Sequence, residues 1–404
     1  MSKPAGTAPD YSLTTDRLRA LGEVSNKLIH ELRAYSTNPE QHKVLQKQWR
    51  IGEVAKLLGV SESSLRNHDE ALRGSEGNAG GTHRRYSLTD IHRLRELTNR
   101  QVHRDPTRDH CARLAVCNFK GGSGKSTTAT NLATHLVLHG YRTLFVDMDP
   151  QGSATALLYP DNLMNIQRKD TLYEVLFAQP ERIRDIVIPT AWEGLDMIPA
   201  ALSLFSVEAE ILRHGFNHPG FLFWERLDLA LRHVQDDYDV ILFDTPPSLS
   251  QITVIAAWSA TALVIPVQAS MMDLQAMASF FFGMWQSLSA IEQITGETRR
   301  YDFGLIVVSN YRGNPKTMQD EYDVATWMRT MYQHFVAEDA ILNSSVIRSA
   351  ANSIQILYEL PKRSDPAYAR ALGAFEGLGD QIIGLIRRQW SSTQPAASRT
   401  VSVS

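Results

Sequence analysis

Residues 113–127 read RLAVCNFKGGSGKST, an apolar run followed by closely spaced glycines, and a helix-period stretch continues to about His139. Strand, glycine-rich turn and helix in that order leave few folds open. Glycines let successive backbone N–H groups turn inward on a phosphate chain, and a helix N-terminus adds a favourable dipole. Gly121, Gly122, Ser123, Gly124 and Thr127 supply that cradle, Lys125 can reach the terminal phosphates, and the Ser126 hydroxyl is placed for magnesium.

The chain beyond Ala112 alternates apolar runs with longer helix-period stretches. The runs are RLAVCNF, TLFVDMD, LDMIPA, DVILFDT, ALVIPV and FGLIVVSN. Such alternation predicts an α/β fold, a mostly parallel sheet with helices on both faces. The 404 residues suffice for two or three domains. Two cysteines, Cys111 and Cys117, exclude a disulfide scaffold and a Cys-rich metal site and fit a reducing compartment. Neither a leader nor an apolar run of the roughly 18 residues a membrane span needs is present, so a cytoplasmic location is expected.

Carboxylates gather at two further run ends. Asp147 and Asp149 close TLFVDMD, and Asp244 follows four apolar residues in DVILFDT, a Walker B position for a magnesium ligand. The phosphate loop departs from GxxxxGK[ST], because Phe119 stands where the first glycine is expected and Lys120 follows it. KGGSGKST resembles the deviant Walker A loop of the ParA/MinD class of P-loop ATPases. The resemblance covers about residues 112–390 and implies ATP and Mg2+ as ligands and slow hydrolysis that acts as a clock. It implies that Lys120 is a signature lysine reaching the partner's phosphates in a homodimer, which makes hydrolysis conditional on dimerisation. By the same resemblance Asp149 orients the attacking water, Asp147 helps hold the magnesium shell or the signature lysine, and Asn310, at the end of LIVVSN, meets the adenine edge.

Residues 1–110 carry 18 Lys and Arg against 14 Asp and Glu, while the rest carry 23 against 30. The mildly basic front suits an anionic partner. Leu18, Leu21, Val24, Leu28 and Leu32 form the stripe of an amphipathic helix, which either packs on its own domain or dimerises. From Trp49, WRIGEVAKLLGVSESSLRNH reads as helix, tight turn at Gly59 and a second helix capped by Ser61, a helix-turn-helix layout. Ser63, Ser64, Arg66, Asn67 and His68 would project from the second helix toward DNA. After a Gly-rich interval, a third helix opens at Ser87 with Asp90 completing a capping box. THRRYSLTDIHRLREL resembles the wing and helix of MerR-like winged domains, so Arg84 and Arg85 fall on the wing. HRDPTRDH, residues 103–110, suits a linker or a last turn.

This layout resembles the larger plasmid-partition ATPases, with an N-terminal helix (1–46), a winged helix-turn-helix (47–108), an ATPase domain (109–390) and a disordered tail (391–404). It implies operator binding with repression of the protein's own operon, nonspecific nucleoid DNA binding by the ATP dimer, and a ParB-type centromere-binding partner that stimulates hydrolysis. Arg348 lies in the matching stretch for nonspecific DNA contact, with Lys362, Arg363, Arg387 and Arg388 nearby. Two alternatives stay open: an ATP-gated repressor without a segregation role, and MinD-like membrane cycling, for which Ile382, Ile383, Leu385, Ile386, Arg387, Arg388 and Trp390 form a basic amphipathic helix end. A nitrogenase-reductase-like electron donor fails, because both cysteines precede the loop.

Overall fold

A computed structural model describes residues 15–36, 45–73, 85–102, 104–159, 165–218, 220–313, 316–361 and 365–392. It separates two compact units, one up to Val44 and one from Leu45 onward. In the first unit Thr15–Ser36 is helical, and Leu18, Leu21 and Val24 on its stripe are exposed. The side chains of Leu28 and Leu32, the Gly-rich interval 74–84 and the tail 393–404 lie outside the described residues.

The second unit opens with strand β1 (Trp49–Arg50), helices Ile51–Leu58 and Glu62–Arg73, strand β2 (Arg85–Tyr86) and helix Leu88–Leu97. Gly59 ends the first helix at φ 64°, the left-handed region where a side chain is disfavoured. Ser61 Oγ accepts from the Ser64 amide at 3.2 Å and caps the second helix. The predicted capping box is formed: Ser87 Oγ accepts from the Asp90 amide at 3.1 Å and Asp90 Oδ2 from the Ser87 amide at 2.8 Å. β1 and β2 pair antiparallel with Trp49 opposite Tyr86, the base of a wing. Val54, Leu58, Leu65, Tyr86, Ile91 and Leu94 fill the small core between these elements.

The larger sheet holds β3 (Ala112–Val116), β4 (Thr143–Asp147), β5 (Ile188–Pro189), β6 (Leu195–Ile198), β7 (Val240–Asp244), β8 (Ala262–Gln268) and β9 (Phe303–Ser309). Their order is β5-β6-β4-β7-β3-β8-β9, all parallel except β5 against β6. The six predicted runs are all strands, and β5 is an additional short edge. Alternate side chains of each strand enter opposite cores, which is why the runs are apolar throughout. Leu114, Leu242, Val264 and Val307 share a cluster with helices Lys125–Leu138 and Pro366–Ser392. Ala115, Val146 and Ile241 meet helices Leu172–Phe177, Arg226–Leu231 and Gln251–Ser259, and Ile265, Val267 and Val308 meet Met271–Thr295 and Gln319–Tyr332.

The front elements seat on the first of these faces. Trp49 packs edge-on against Trp192 with ring centroids 6.4 Å apart, and Lys47 Nζ donates to the Leu360 carbonyl at 2.8 Å. Arg95 Nη2 donates to the Leu138 carbonyl at 2.7 Å and His92 Nε2 lies 3.2 Å from the Val137 carbonyl, so both grip the end of helix Lys125–Leu138. Gly140, at φ 86°, leaves the room Arg95 needs, since a Cβ there would stand 2.6 Å from Arg95 Cδ. The described part of 103–110 is a turn held to the sheet. Arg104 is buried, pairs with Asp239 at 3.4 Å and donates to the Gln235 and Asp236 carbonyls at 3.3 and 3.1 Å.

Ile382, Ile383, Ile386 and Trp390 are buried against the sheet, and Trp390 Nε1 donates to the His110 carbonyl at 3.0 Å. The apolar face that a membrane reading requires is therefore core. No described helix is long and apolar enough to cross a membrane.

Candidate active site

β3 runs into the loop through Asn118, which is buried; its Nδ2 donates to the Pro266 carbonyl at 2.8 Å and its Oδ1 accepts from the Lys120 amide at 3.3 Å. Gly122 and Gly124 adopt φ 75° and 84°, and Gly124 caps helix Lys125–Leu138. Neighbouring strand ends brace the loop. Ser309 Oγ donates to the Ser123 carbonyl at 2.7 Å and Gln268 Nε2 to the Gly122 carbonyl at 2.8 Å. Exposed Asn310, at φ 51°, donates from Nδ2 to Gln268 Oε1 at 3.2 Å. Gly121 is exposed, and the Thr127 carbonyl accepts from Asn131 Nδ2 at 2.8 Å.

The charged groups converge where β3, β4 and β7 end. Lys125 is buried and its Nζ donates to the Lys120 carbonyl at 3.3 Å. Burial pushes its pKa down, while Asp244 and Asp149 pull it back. Asp147 is fully enclosed: Oδ1 accepts from the Asp149 amide at 3.1 Å, and Oδ2 from the Thr155 amide and hydroxyl at 2.7 and 2.6 Å. Burial raises its carboxyl to about 7 against these donors. Thr155 Oγ1 in turn accepts from the Ala200 amide at 2.9 Å, which ties the segment after β4 to the end of β6. Asp149 Oδ1 accepts from the Gln151 amide at 3.0 Å, and burial raises its pKa too.

Asp244 differs from both. Its two oxygens are buried without a hydrogen-bond partner, and burial, then the neighbouring Asp147, push its pKa well above the carboxylate range, with Ser126 and Lys125 opposing. The Ser123 and Thr128 hydroxyls are buried and unpartnered as well. An anionic group enclosed this way, beside a lysine and a serine, is a site that fits a divalent cation carrying phosphate oxygens.

Lys120 points elsewhere than at the loop: its Nζ pairs with Asp273 Oδ2 at 2.7 Å, and Asp273 is buried at the start of helix Met271–Thr295. The Asp273 amide donates to Ser270 Oγ at 3.1 Å, and the Ser270 hydroxyl donates to the carboxylate in a short contact. Asp273, Gln268, Ser309 and Thr155 were not singled out in the sequence. Ser270 and Asp273 carry the spacing of a capping box, a signal common to ordinary helices; Thr155 follows Asp149 closely, but nothing in its residue type marks it.

The DNA candidates belong to other elements. On helix Glu62–Arg73, Ser63, Arg66 and Asn67 are exposed, Ser64 and His68 are half-buried and Leu65 faces inward. Arg66 pairs with Glu62 at 3.3 Å. Arg85 is exposed on β2, whereas Arg84, Lys362 and Arg363 lie outside the described residues. Arg348 is exposed on helix Ser345–Asn352, its Nη1 donating to Asn343 Oδ1 at 2.5 Å, and Arg387 Nε donates to the Tyr141 hydroxyl at 2.8 Å. Both cysteines are buried, which pushes their thiols up to about 12 and leaves them unreactive.

A parallel sheet that feeds a braced glycine loop, with a buried lysine facing carboxylates at adjacent strand ends, defines a P-loop nucleotide-binding protein. Residues 112–296 match a family described as an AAA domain, and residues 49–115 match the MerR HTH family regulatory protein family. The chromosome partitioning protein ParA of Caulobacter vibrioides (strain NA1000 / CB15N) is 33% identical over 64% of this chain and 91% of its own. Protein SopA of Escherichia coli (strain K12) is 29% identical over 91% of this chain and 96% of its own. A solved partition protein shares the fold at a TM-score of 0.62 and 19% identity, covering 91% of this chain and 98% of that one. The chain belongs to the ParA-like family of partition ATPases.

Proposed function

We propose that this chain is a replicon-partition ATPase in which bound nucleotide selects the mode of DNA binding. The observation that carries the reading is the seating of the winged helix-turn-helix on the far end of the same helix whose first residue is Lys125. Lys125, Ser126, Thr127 and the amides of Gly121–Gly124 bind the ATP phosphates, with Asn310 at the base. Asp244 and Ser126 hold Mg2+, with Asp147 behind them positioning the segment that carries Asp149; the ion neutralises charge on the phosphate oxygens. Asp149 orients a water and accepts its hydrogen as the water oxygen attacks the terminal phosphorus, and ADP leaves with the bridging oxygen.

Lys120 enters this site only after parting from Asp273. In a homodimer closed around ATP, the partner's phosphates compete for that ammonium, so hydrolysis is slow in the isolated chain and rises when a ParB-type partner favours the closed form. The closed dimer binds nucleoid DNA without sequence preference through exposed Arg348 and its neighbours. In the ADP or nucleotide-free state Ser63, Ser64, Arg66, Asn67 and the wing residues Arg84 and Arg85 read the operator.

The test is DNA binding by the purified protein without nucleotide, with Mg-ADP and with Mg-ATP, on its own upstream region, random DNA and anionic liposomes. Operator binding with ADP and nonspecific binding with ATP support the switch. Operator binding indifferent to nucleotide makes the protein a plain repressor, and liposome binding without DNA binding moves it to a membrane cycle.

A further inference from the structure

The far end of helix Lys125–Leu138 carries chemistry that nucleotide hydrolysis does not use. His135 and His139 stand one turn apart on one face, with ring centroids 4.1 Å apart. Asp380, from helix Pro366–Ser392, reaches across to both. Its Oδ1 lies 3.1 Å from His135 Nε2 and 3.8 Å from His139 Nε2. Among the described residues this is the one group of three His, Cys, Asp or Glu side chains whose ligand atoms all lie within 4.8 Å of one another.

The other ring nitrogens fix how these groups face. His139 Nδ1 lies 2.9 Å from the His135 carbonyl, which can only accept, so Nδ1 carries the hydrogen and the neutral ring presents a bare lone pair at Nε2. That lone pair and a carboxylate oxygen are both acceptors 3.8 Å apart, and a metal ion between them would satisfy both and take over the place of the hydrogen that His135 Nε2 and Asp380 Oδ1 share at 3.1 Å. His135 Nδ1 is met by the Tyr358 hydroxyl at 3.0 Å, which orients its ring, the hydroxyl being able to donate or accept. A ring nitrogen anchored to a carbonyl or hydroxyl while the other faces a shared point is the outer arrangement that metal-binding histidines keep.

Spacing agrees. Ligands about 2.0–2.1 Å from a tetrahedral ion sit roughly 3.3 Å from each other, between the two separations to Asp380. The backbone makes room for it: a Cβ at Gly379 would stand 2.2 Å from His135 Cδ2, so the C-terminal helix comes this close to His135 only with glycine there. Two imidazoles and one carboxylate suit a borderline divalent ion such as Zn2+ or Co2+ better than Mg2+, with a fourth position left for water.

We infer that His135, His139 and Asp380 form a binding site for one Zn2+-class ion that clamps helix Pro366–Ser392 to the end of the helix that starts at Lys125. The site borders helix Leu88–Leu97, because Arg95 and His92 hold the carbonyls of Leu138 and Val137 in the same turn. Lys56 and Arg95 bring positive charge near Asp380 and His139, which opposes a bound cation, so the three ligands must outweigh it. Neither the ATPase nor the DNA-binding reading is needed for the inference.

The experiment uses the full chain stripped with chelator, then dialysed against Co2+ alone and Zn2+ alone, with bound metal counted and Co2+ followed by visible absorption. One equivalent per chain is expected, with the absorption of a tetrahedral site displaced by Zn2+. His135 is core, so its replacement risks the fold. His139→Gln and Asp380→Asn, at side chains 25% and 67% exposed, keep the test sound. Each is expected to weaken Zn2+ binding at least tenfold and to abolish the thermal shift Zn2+ causes in the wild type. Failure to bind metal, or binding and thermal shift unchanged in both variants, overturns the site.

Discussion

Asp244 carries a folding cost in the nucleotide-free chain, since its enclosed carboxyl gives up its hydration and Ser126 and Lys125 offset that loss only in part. Its pKa is raised in the folded state, so its contribution is complete at pH below the unfolded value and is lost as pH climbs through the folded one. Asp244→Asn should therefore raise the melting temperature of the nucleotide-free chain at pH 8, by an increment that shrinks on acidification, while Mg-ATP no longer stabilises it. Thermal scans across pH with and without Mg-ATP check both. Lys120→Gln should abolish partner-stimulated hydrolysis and spare nucleotide binding, and normal hydrolysis in that variant removes the trans assignment. Asp273→Asn keeps the shape but loosens the hold on Lys120, so ATP-dependent dimerisation, followed by sedimentation, should strengthen. Asp147, with both oxygens occupied by Asp149 and Thr155, holds the segment after β4 in place.

At the scale of elements, local rules governed most of what could be read from residues alone. Ser87 and Asp90 announced a helix start that is present atom for atom, and Ser87→Ala should cost about 1 kcal/mol in urea unfolding. The six buried strands were legible because burial on both faces demands unbroken apolar runs. β5 was not, being two residues long with a proline at an edge. Phosphate-loop residues were legible by type and spacing, but Asp273 was not, because what makes it special is the ammonium of Lys120, 153 positions earlier. Helix Leu88–Leu97 was legible from its cap; only the fold shows that it packs on the end of helix Lys125–Leu138.

In the molecule as a whole, the front elements and the sheet share one hydrophobic cluster from Trp49 to Trp390. Trp49→Ala should cost about 3–5 kcal/mol and lower the urea midpoint of the sheet unit together with that of the front elements. Two transitions by tryptophan fluorescence, with the later one unmoved, would show that the front elements and the sheet melt independently. The cluster also explains why residue patterns suggested a separable front: each piece has its own caps and small core, and the shared surface adds no periodicity of its own.

Arg104 gives the chain a mechanical property. Its buried pairing with Asp239 and its bonds to the Gln235 and Asp236 carbonyls clamp the polypeptide just before β3. If DNA held at the front were dragged while the rest stayed anchored, tension would reach that clamp once the contacts of Trp49, Lys47, His92 and Arg95 had parted. β3 is interior and hydrogen-bonded to parallel neighbours on both sides, so the load would shear two ladders at once instead of peeling one. Such a joint would pass load from the front into the middle of the sheet and not onto its edge.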